Sequence, residues 1–351
     1  MLPGLLFTYS LGSYLSWRSL SAVCSVVPVI VVISFYFLPR SPIFLMSKGL
    51  KEEAVSSFRF FRGKNVDDDQ EISQMEASIL ESRTIDILRM KTILSNTIYF
   101  KPLCISLMLM LLQQFSGIKV ISSYIVQIFQ NAGSKFDANI CSIVVGVIQV
   151  TGTSISVLVV DKFGRRRLLI LSELFISFAF CMLGTFFFLQ ESHHSHCSSP
   201  DTCEEMFVTA ETVDNLAWLP LASIVIFAVA YSMGMGPLPW LLNAELFAKE
   251  AKAPCSSLCA SFNWVCSFLV VKFSPNLETV IGASGSYFSF AALAAAGTLL
   301  IGVMVPETKG KTEEEIQNIF ISNRESREEN IEDCIPDLTK PFIRDKNIEI
   351  K

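Results

Sequence analysis

Residues 216–242 read LAWLPLASIVIFAVAYSMGMGPLPWLL, and this stretch decides the fold. It holds no charged residue and exceeds the roughly 20 residues that a helix needs to cross a bilayer. Inside it, Gly234-Met235-Gly236-Pro237-Leu238-Pro239-Trp240 is incompatible with an uninterrupted helix. Pro237 and Pro239 remove main-chain donors, and Gly234 and Gly236 loosen the backbone, so the span must break or kink. Irregular backbone at membrane depth is tolerated only where protein covers it or where it lines a cavity, and such breaks mark ligand sites and gates. Trp240 stands beside the break. It is either a packing or interfacial aromatic or a ring face for the C–H surface of a ligand, and the cavity that a break supplies favours the second.

The rest of the 351-residue chain has the same character. Apolar residues make up 51% of it and charged residues 17%, and the mean hydropathy is +0.47. Soluble domains are rarely so apolar. The apolar residues fall into blocks that predict eight spans, near 2–16, 20–38, 103–123, 140–160, 168–189, 216–242, 256–273 and 282–305. The first is short and has no charged leader or cleavage site, so it is expected to be a span cut by an incomplete N-terminus. The net charge of −5 sums segments on opposite sides of a membrane, and no basic run suggests a nucleic-acid partner.

Lys and Arg alternate between rich and poor connections. Residues 39–102, 162–167, 249–252 and the tail after Val305 are rich, whereas the connections holding Arg18, Lys135 and Lys272, and the whole of 190–215, are poor. The positive-inside rule puts the rich set, including the C-terminus, in the cytoplasm. Residues 48–100 carry apolar positions at helical spacing, such as Ile72, Met75, Ile79, Ile85 and Leu88, and predict short amphipathic helices. Asp67-Asp68-Asp69 reads as a solvated helix start, and 322–351 as a disordered tail. Of the ten cysteines, Cys24, Cys104, Cys141, Cys181, Cys255, Cys259 and Cys266 lie in or beside apolar blocks and are expected to pack as small residues. Only Cys197 and Cys203 share a polar loop, placed outside, where a disulfide is plausible. His193, His194 and His196 beside Cys197 lack the regular spacing and supporting shell of a metal site.

Polar residues within spans are expensive in hydrocarbon, so each is expected to face a cavity or a partner helix. Gln113 and Gln114 sit midway along the third span, followed by Ser116 and Gly117, a pair that lets the helix unwind. The two amides suit either a polyhydroxylated ligand or interhelical hydrogen bonding, and the sequence does not choose between these. Asn263 and Gln149 are comparable intramembrane amides. Glu245 follows the broken helix and needs a cation, which Asp161-Lys162-Phe163-Gly164-Arg165-Arg166-Arg167 can provide. No nucleotide loop, catalytic triad or hydrolase site is recognisable, so no enzyme and no cofactor are expected.

Pro39-Arg40-Ser41-Pro42, Gln113-Gln114-Phe115-Ser116-Gly117-Ile118, Asp161-Lys162-Phe163-Gly164-Arg165-Arg166, Gly236-Pro237-Leu238-Pro239-Trp240, Phe262-Asn263-Trp264 and Pro306-Glu307-Thr308-Lys309-Gly310-Lys311-Thr312 resemble, in order, the motifs of the sugar porter family of the major facilitator superfamily. The runs 108–117 and 126–133 look most like insect facilitated trehalose transporters. The resemblance implies an all-α membrane protein with a major facilitator fold of two six-helix lobes, lacking most of the N-terminal lobe and keeping about eight transmembrane helices. Residues 1–38 would end the N-terminal lobe, 39–102 would form the cytoplasmic helical segment, 103–305 the C-terminal six-helix lobe and 306–351 a cytoplasmic tail. The missing lobe is expected in a full-length chain.

The resemblance further implies facilitative transport of a sugar, trehalose or a hexose, by alternating access at the plasma membrane. A truncated or non-transporting sugar-binding paralogue is the alternative. Gln113, Gln114, Trp240 and Asn263 match sugar-contacting positions of the family, and Arg165, Arg166 and Glu245 match its cytoplasmic charge network. Lys119 and Gln149 each replace a family Asn, and Arg40 and Ile43 replace a Glu and an Arg. Lys119 either faces the central cavity or, with the helix loosened at Gly117, reaches the external interface.

Overall fold

The computed structural model describes residues 2–62, 72–73, 77, 97–131, 138–196, 216–312 and 315–320. Among them the regular structure is entirely helical: α1 (Leu2–Gly12), α2 (Trp17–Phe37), α3 (Pro42–Ser47), α4 (Lys51–Arg62), α5 (Thr97–Phe115), α6 (Ile118–Asn131), α7 (Ala138–Phe163), α8 (Arg165–His196), α9 (Leu219–Met233), α10 (Leu238–Glu245) and α11 (Lys249–Met304). Among the described residues six segments are long and apolar enough to cross a membrane: Trp17–Phe37, Tyr99–Asn131, Ile140–Phe163, Arg165–Ser192, Leu219–Glu245 and Ala251–Met304. The last has 54 residues, about 80 Å of helix at about 1.5 Å per residue. That is more than twice the roughly 30 Å hydrocarbon core, so it contains two spans. Together with the short α1, the eight expected spans are accounted for.

The last two spans differ from their expected form. Instead of separate helices with a connection over 274–281, helix runs through Pro275 and turns only at Gly282, where φ is 78° and ψ is 168°. The turn stands because a carboxylate caps the helix that restarts beyond it. Glu191, near the end of α8, accepts hydrogen bonds from the Ala283 N–H (3.0 Å), the Ser284 N–H (3.3 Å) and the Ser284 hydroxyl. Those main-chain donors would otherwise be orphaned at a helix start.

The bundle is organised around α8, which packs most extensively on α11 and α9. Ile176, Phe180, Leu183 and Phe187, at helical spacing, are buried, whereas Leu171, Leu174, Phe175 and Phe178 on the opposite face are exposed. Both faces are apolar, as expected of a helix with protein on one side and lipid on the other. Phe180 packs on Phe227, Tyr287 and Phe290 at the centre of the core. Helix α1 lies along α7 at Gly146, where an added Cβ would come within 3.2 Å of Leu6. Helix α2 buries no residue.

Leu45, Met46 and Ala54 of α3 and α4 form a small cluster with Ile72. Asp67–Asp69, Met75, Ile79, Ile85, Leu88 and 322–351 lie outside the described residues. The seven cysteines expected to pack in or beside spans are free.

The span that decided the fold breaks between α9 and α10. Ser172 of α8 splints the break, since its hydroxyl donates to the Ala230 carbonyl (2.8 Å) and accepts from the Met235 N–H (3.0 Å). For the two chains to come this close the intervening residue must lack a side chain: a Cβ on Gly234 would sit 2.4 Å from Ser172 Cβ and 2.8 Å from the Leu168 carbonyl oxygen. Gly234→Ala should therefore cost about 1–3 kcal/mol through overpacking. Gly302→Ala, where a Cβ meets nothing within 4 Å, should not destabilise the protein. Thermal unfolding of both purified variants in detergent checks this, and equal melting temperatures would dismiss the close-approach argument.

Candidate functional site

The structure brings Gln113, Gln114, Lys119, Gln149, Trp240 and Asn263 to the wall of one cavity of about 470 Å³, beside the break. That volume is in the usual range for small-molecule sites, about 300–1,000 Å³. Thr8, Ser122, Thr153, Tyr231, Ser232 and Trp264 complete its polar and aromatic lining. Of these the sequence reading named only Trp264, as part of the Phe262-Asn263-Trp264 motif and without a role. Their signal was spacing, with Gln149 and Thr153, and Lys119 and Ser122, falling on shared helix faces.

The prolines explain the chemistry of the wall. In a helix the carbonyl of residue i pairs with the N–H of residue i+4, and proline has none. Pro237 and Pro239 therefore leave the carbonyls of Met233 and Met235 without their regular donors. Side chains from two other helices serve them. Ser156 Oγ of α7 donates to the Met233 carbonyl at 2.9 Å, and Gln113 Nε2 of α5 donates to the carbonyls of Met235 (3.0 Å) and Gly236 (2.9 Å). Ser156, completely buried, was not singled out by sequence.

These acceptors also orient the remaining amides. Main-chain carbonyls only accept, so Gln113 must present nitrogen to the break and its Oε1 outward, where Asn263 Nδ2 donates to it at 2.9 Å. Asn263 Nδ2 also donates to the Met110 carbonyl at 3.2 Å. Its Oδ1 then accepts from Gln114 Nε2 at 2.9 Å, which leaves Gln114 Oε1 buried without a partner. Gln113 and Asn263 thus hydrogen-bond between helices while also lining the cavity. Gln114 keeps one open acceptor, Ser232 Oγ is likewise without a partner, and among the described residues the Gln149 amide makes no hydrogen bond. The sequence left the amides open between ligand binding and helix pairing; the geometry divides them.

Trp240 and Trp264 are 40% and 52% exposed, and both line the cavity. Lys119 lies on the cavity wall with Nζ 5.3 Å from the centroid of the Trp264 ring, a cation–π contact.

A second polar cluster lies beyond the far end of α10. Arg165 pairs with Glu245 at 3.2 Å and with Asp161 at 3.4 Å. Thr308 Oγ1 donates to Glu245 Oε2 at 2.8 Å, and Glu307 Oε1 accepts from the Arg165 N–H at 2.9 Å, capping α8. Arg166 departs from expectation: its guanidinium donates to the Gly302 carbonyl and makes no contact with Glu245. Adjacent residues on a helix point about 100° apart, and here Arg165 turns to α10 while Arg166 turns to α11. Glu307 and Thr308 were visible as a motif but carried no assigned role. Glu173, an acid within α8 that the sequence reading did not mention, is buried with Oε2 unpartnered. Cys197 and Cys203, and the side chains of His193, His194 and His196, lie outside the described residues.

The sequence model of the sugar (and other) transporter family matches residues 1–320. The chain belongs to the sugar transporter family. Among members of this family it is 33% identical over 317 residues to the facilitated trehalose transporter Tret1 of Apis mellifera ligustica, covering 90% of this chain and 60% of that protein. It is 34% identical over 321 residues to trehalose transporter 1 of Drosophila melanogaster, covering 90% of this chain and 35% of that protein. The chain thus spans between about a third and three-fifths of the length of such relatives. The proton:xylose symporter XylE bound to 6-bromo-6-deoxy-D-glucose superposes with a TM-score of 0.61 at 25% identity, over 90% of this chain and 63% of that one. The inward open xylose transporter XylE from E. coli gives a TM-score of 0.68 at 24% identity over 91% and 63%. The fold is that of the major facilitator superfamily, and these relatives are named as transporters rather than enzymes.

If Gln113 exists to serve the carbonyl that Pro239 orphans, the two residues are energetically coupled. Gln113→Ala should lose about 1–3 kcal/mol for a buried unsatisfied group, and less in a Pro239→Ala background that restores the donor. A double-mutant cycle on thermal or denaturant unfolding should give a coupling of about 0.5–3 kcal/mol, and strict additivity would contradict the assignment.

Proposed function

We propose that the cavity is the sugar site of a facilitative carrier that works by alternating access at the plasma membrane. Residues 103–305 form the C-terminal lobe of that carrier, 1–38 belong to the N-terminal lobe, and 39–102 and the tail from 306 lie in the cytoplasm. The observation that carries the reading is a cavity beside a broken helix lined by Gln149, whose amide has no partner among the described residues, and by Gln114 and Ser232, whose Oε1 and Oγ are buried and unpaired, together with the indoles of Trp240 and Trp264. Sugars need that combination, since their hydroxyls exchange hydrogen bonds with water for hydrogen bonds with protein while their C–H faces lie on aromatic rings. The name of the trehalose transporters supports trehalose as the cargo, and the glucose analogue bound to the xylose symporter supports a hexose.

Gating belongs to α10. Trp240 is near its cavity end and Glu245 closes its far end, so a ligand that draws in Trp240 tilts the helix that holds half of the Arg165–Glu245 pair. Closing and opening of the lobes is then accompanied by making and breaking of that pair. No covalent step or cofactor is called for.

Uptake of labelled trehalose and glucose by cells expressing the protein, with binding to purified protein in parallel, tests the function. Saturable uptake is expected. Binding without uptake would favour a non-transporting sugar-binding protein, and absence of both would remove the cavity assignment. Gln149→Ala should weaken apparent affinity by several-fold, corresponding to a neutral hydrogen bond of about 0.5–1.5 kcal/mol, without lowering the melting temperature, because that amide has no partner within the described protein. Glu245→Gln should leave sugar binding measurable but alter the balance between outward- and inward-facing states, read as a changed ratio of influx to efflux KM.

A further inference from the structure

Lys119 brings a cationic side chain to the proposed sugar cavity. Among the described residues its partner is the Trp264 ring, and no Asp or Glu of the described residues lines the cavity. A cation–π contact offsets part of the desolvation of an ammonium within a membrane protein but leaves its charge uncompensated. Low-dielectric walls carrying one sign of charge concentrate the field in the space between them and enrich ligands of opposite sign.

The neighbouring groups specify the rest of the ligand. Gln149 and Gln114 Oε1 are suited to hydroxyls, and the Trp240 and Trp264 faces to a pyranose ring. We propose that the cavity selects a hydroxylated sugar carrying one anionic group, a carboxylate or a phosphate, over its neutral counterpart, with the anion held by Lys119 and the ring by the two indoles. This rests on the reading of the cavity as the sugar site and narrows the class of sugar it takes. A charge-assisted hydrogen bond to an ammonium is stronger than a neutral one, which makes Lys119 the specificity-determining residue.

Tryptophan fluorescence of the purified 351-residue protein in nanodiscs, titrated with glucose, trehalose, glucuronate and glucose 6-phosphate at fixed ionic strength, measures the preference directly. At least one anionic sugar should bind on the order of tenfold more tightly than glucose, the ratio should shrink as salt rises, Lys119→Gln should bring it close to one, and Lys119→Arg should keep it. Glucuronate and glucose 6-phosphate distinguish a carboxylate from a phosphate as the preferred anion. If glucose or trehalose binds at least as tightly as both anionic sugars, or if the preference survives in Lys119→Gln, the role of Lys119 is overturned while the sugar site stands. If no sugar binds to protein that still unfolds cooperatively on heating, the cavity reading fails and this inference fails with it. The wild-type ratio alone can overturn the proposal, so it does not depend on either variant folding.

Discussion

In hydrocarbon a main-chain carbonyl without a partner has no water to turn to, and Pro237 and Pro239 each withdraw the donor that would have served the carbonyl four residues earlier. Ser156 and Gln113 answer that constraint from two different helices. Once they do, α5 and α7 are held against the break, and the break can lie beside a cavity rather than in lipid. Asn263 follows from Gln113, since it must donate where Gln113 shows oxygen, and Gln114 follows from Asn263. One missing pair of N–H groups thus sets the positions of five helical segments and the direction of three amides.

The same logic recurs wherever the backbone leaves regular helix. Glu191 caps the restart of α11 beyond Gly282, Glu307 caps α8 after Gly164, and Ser172 splints the break at Gly234. Each partner comes from a segment distant in sequence, so local irregularity is stabilised by tertiary contact and in turn fixes that contact. The break at Ser116-Gly117 adds a steric counterpart. There Gly117 has φ 77°, and an added Cβ would lie 2.6 Å from Phe180, so the aromatic core packs directly on the loosened turn.

Many polar side chains of the bundle serve this framework. Among the described residues, Gln149, Gln114, Ser232 and Lys119 line one cavity, whereas other unpartnered buried atoms, such as Glu173 Oε2 and Asn243 Oδ1, lie outside it. Helix α10 is a short rigid element with Trp240 in that space and Glu245 in the charge cluster beyond it. The physical separation of the two polar regions along one helix permits a local event in one to be felt in the other without any change in the core between them.

Apolar block length, the alternation of basic and poor connections, and proline and glycine within residues 216–242 were enough for the sequence to determine a helical membrane protein with broken spans, because span length and backbone donors are local properties. The amides and the lysine of the cavity were legible too, since such a group in an apolar run needs a partner or a cavity wherever it lies, whereas the cavity's Ser, Thr and Tyr lining was not. Their division of labour was not legible. Gln113 and Gln114 are adjacent and chemically identical, yet one binds the carbonyls of the break and the other keeps an acceptor open. Arg165 and Arg166 are likewise neighbours, and only one meets Glu245. The capping roles of Glu191 and Glu307 were equally hidden, because the donors they serve lie 92 and 142 residues away in sequence. Tertiary structure alone decided these points: a hydrogen bond depends on direction and on which group arrives from another helix, and neither is encoded in the identity of a single residue.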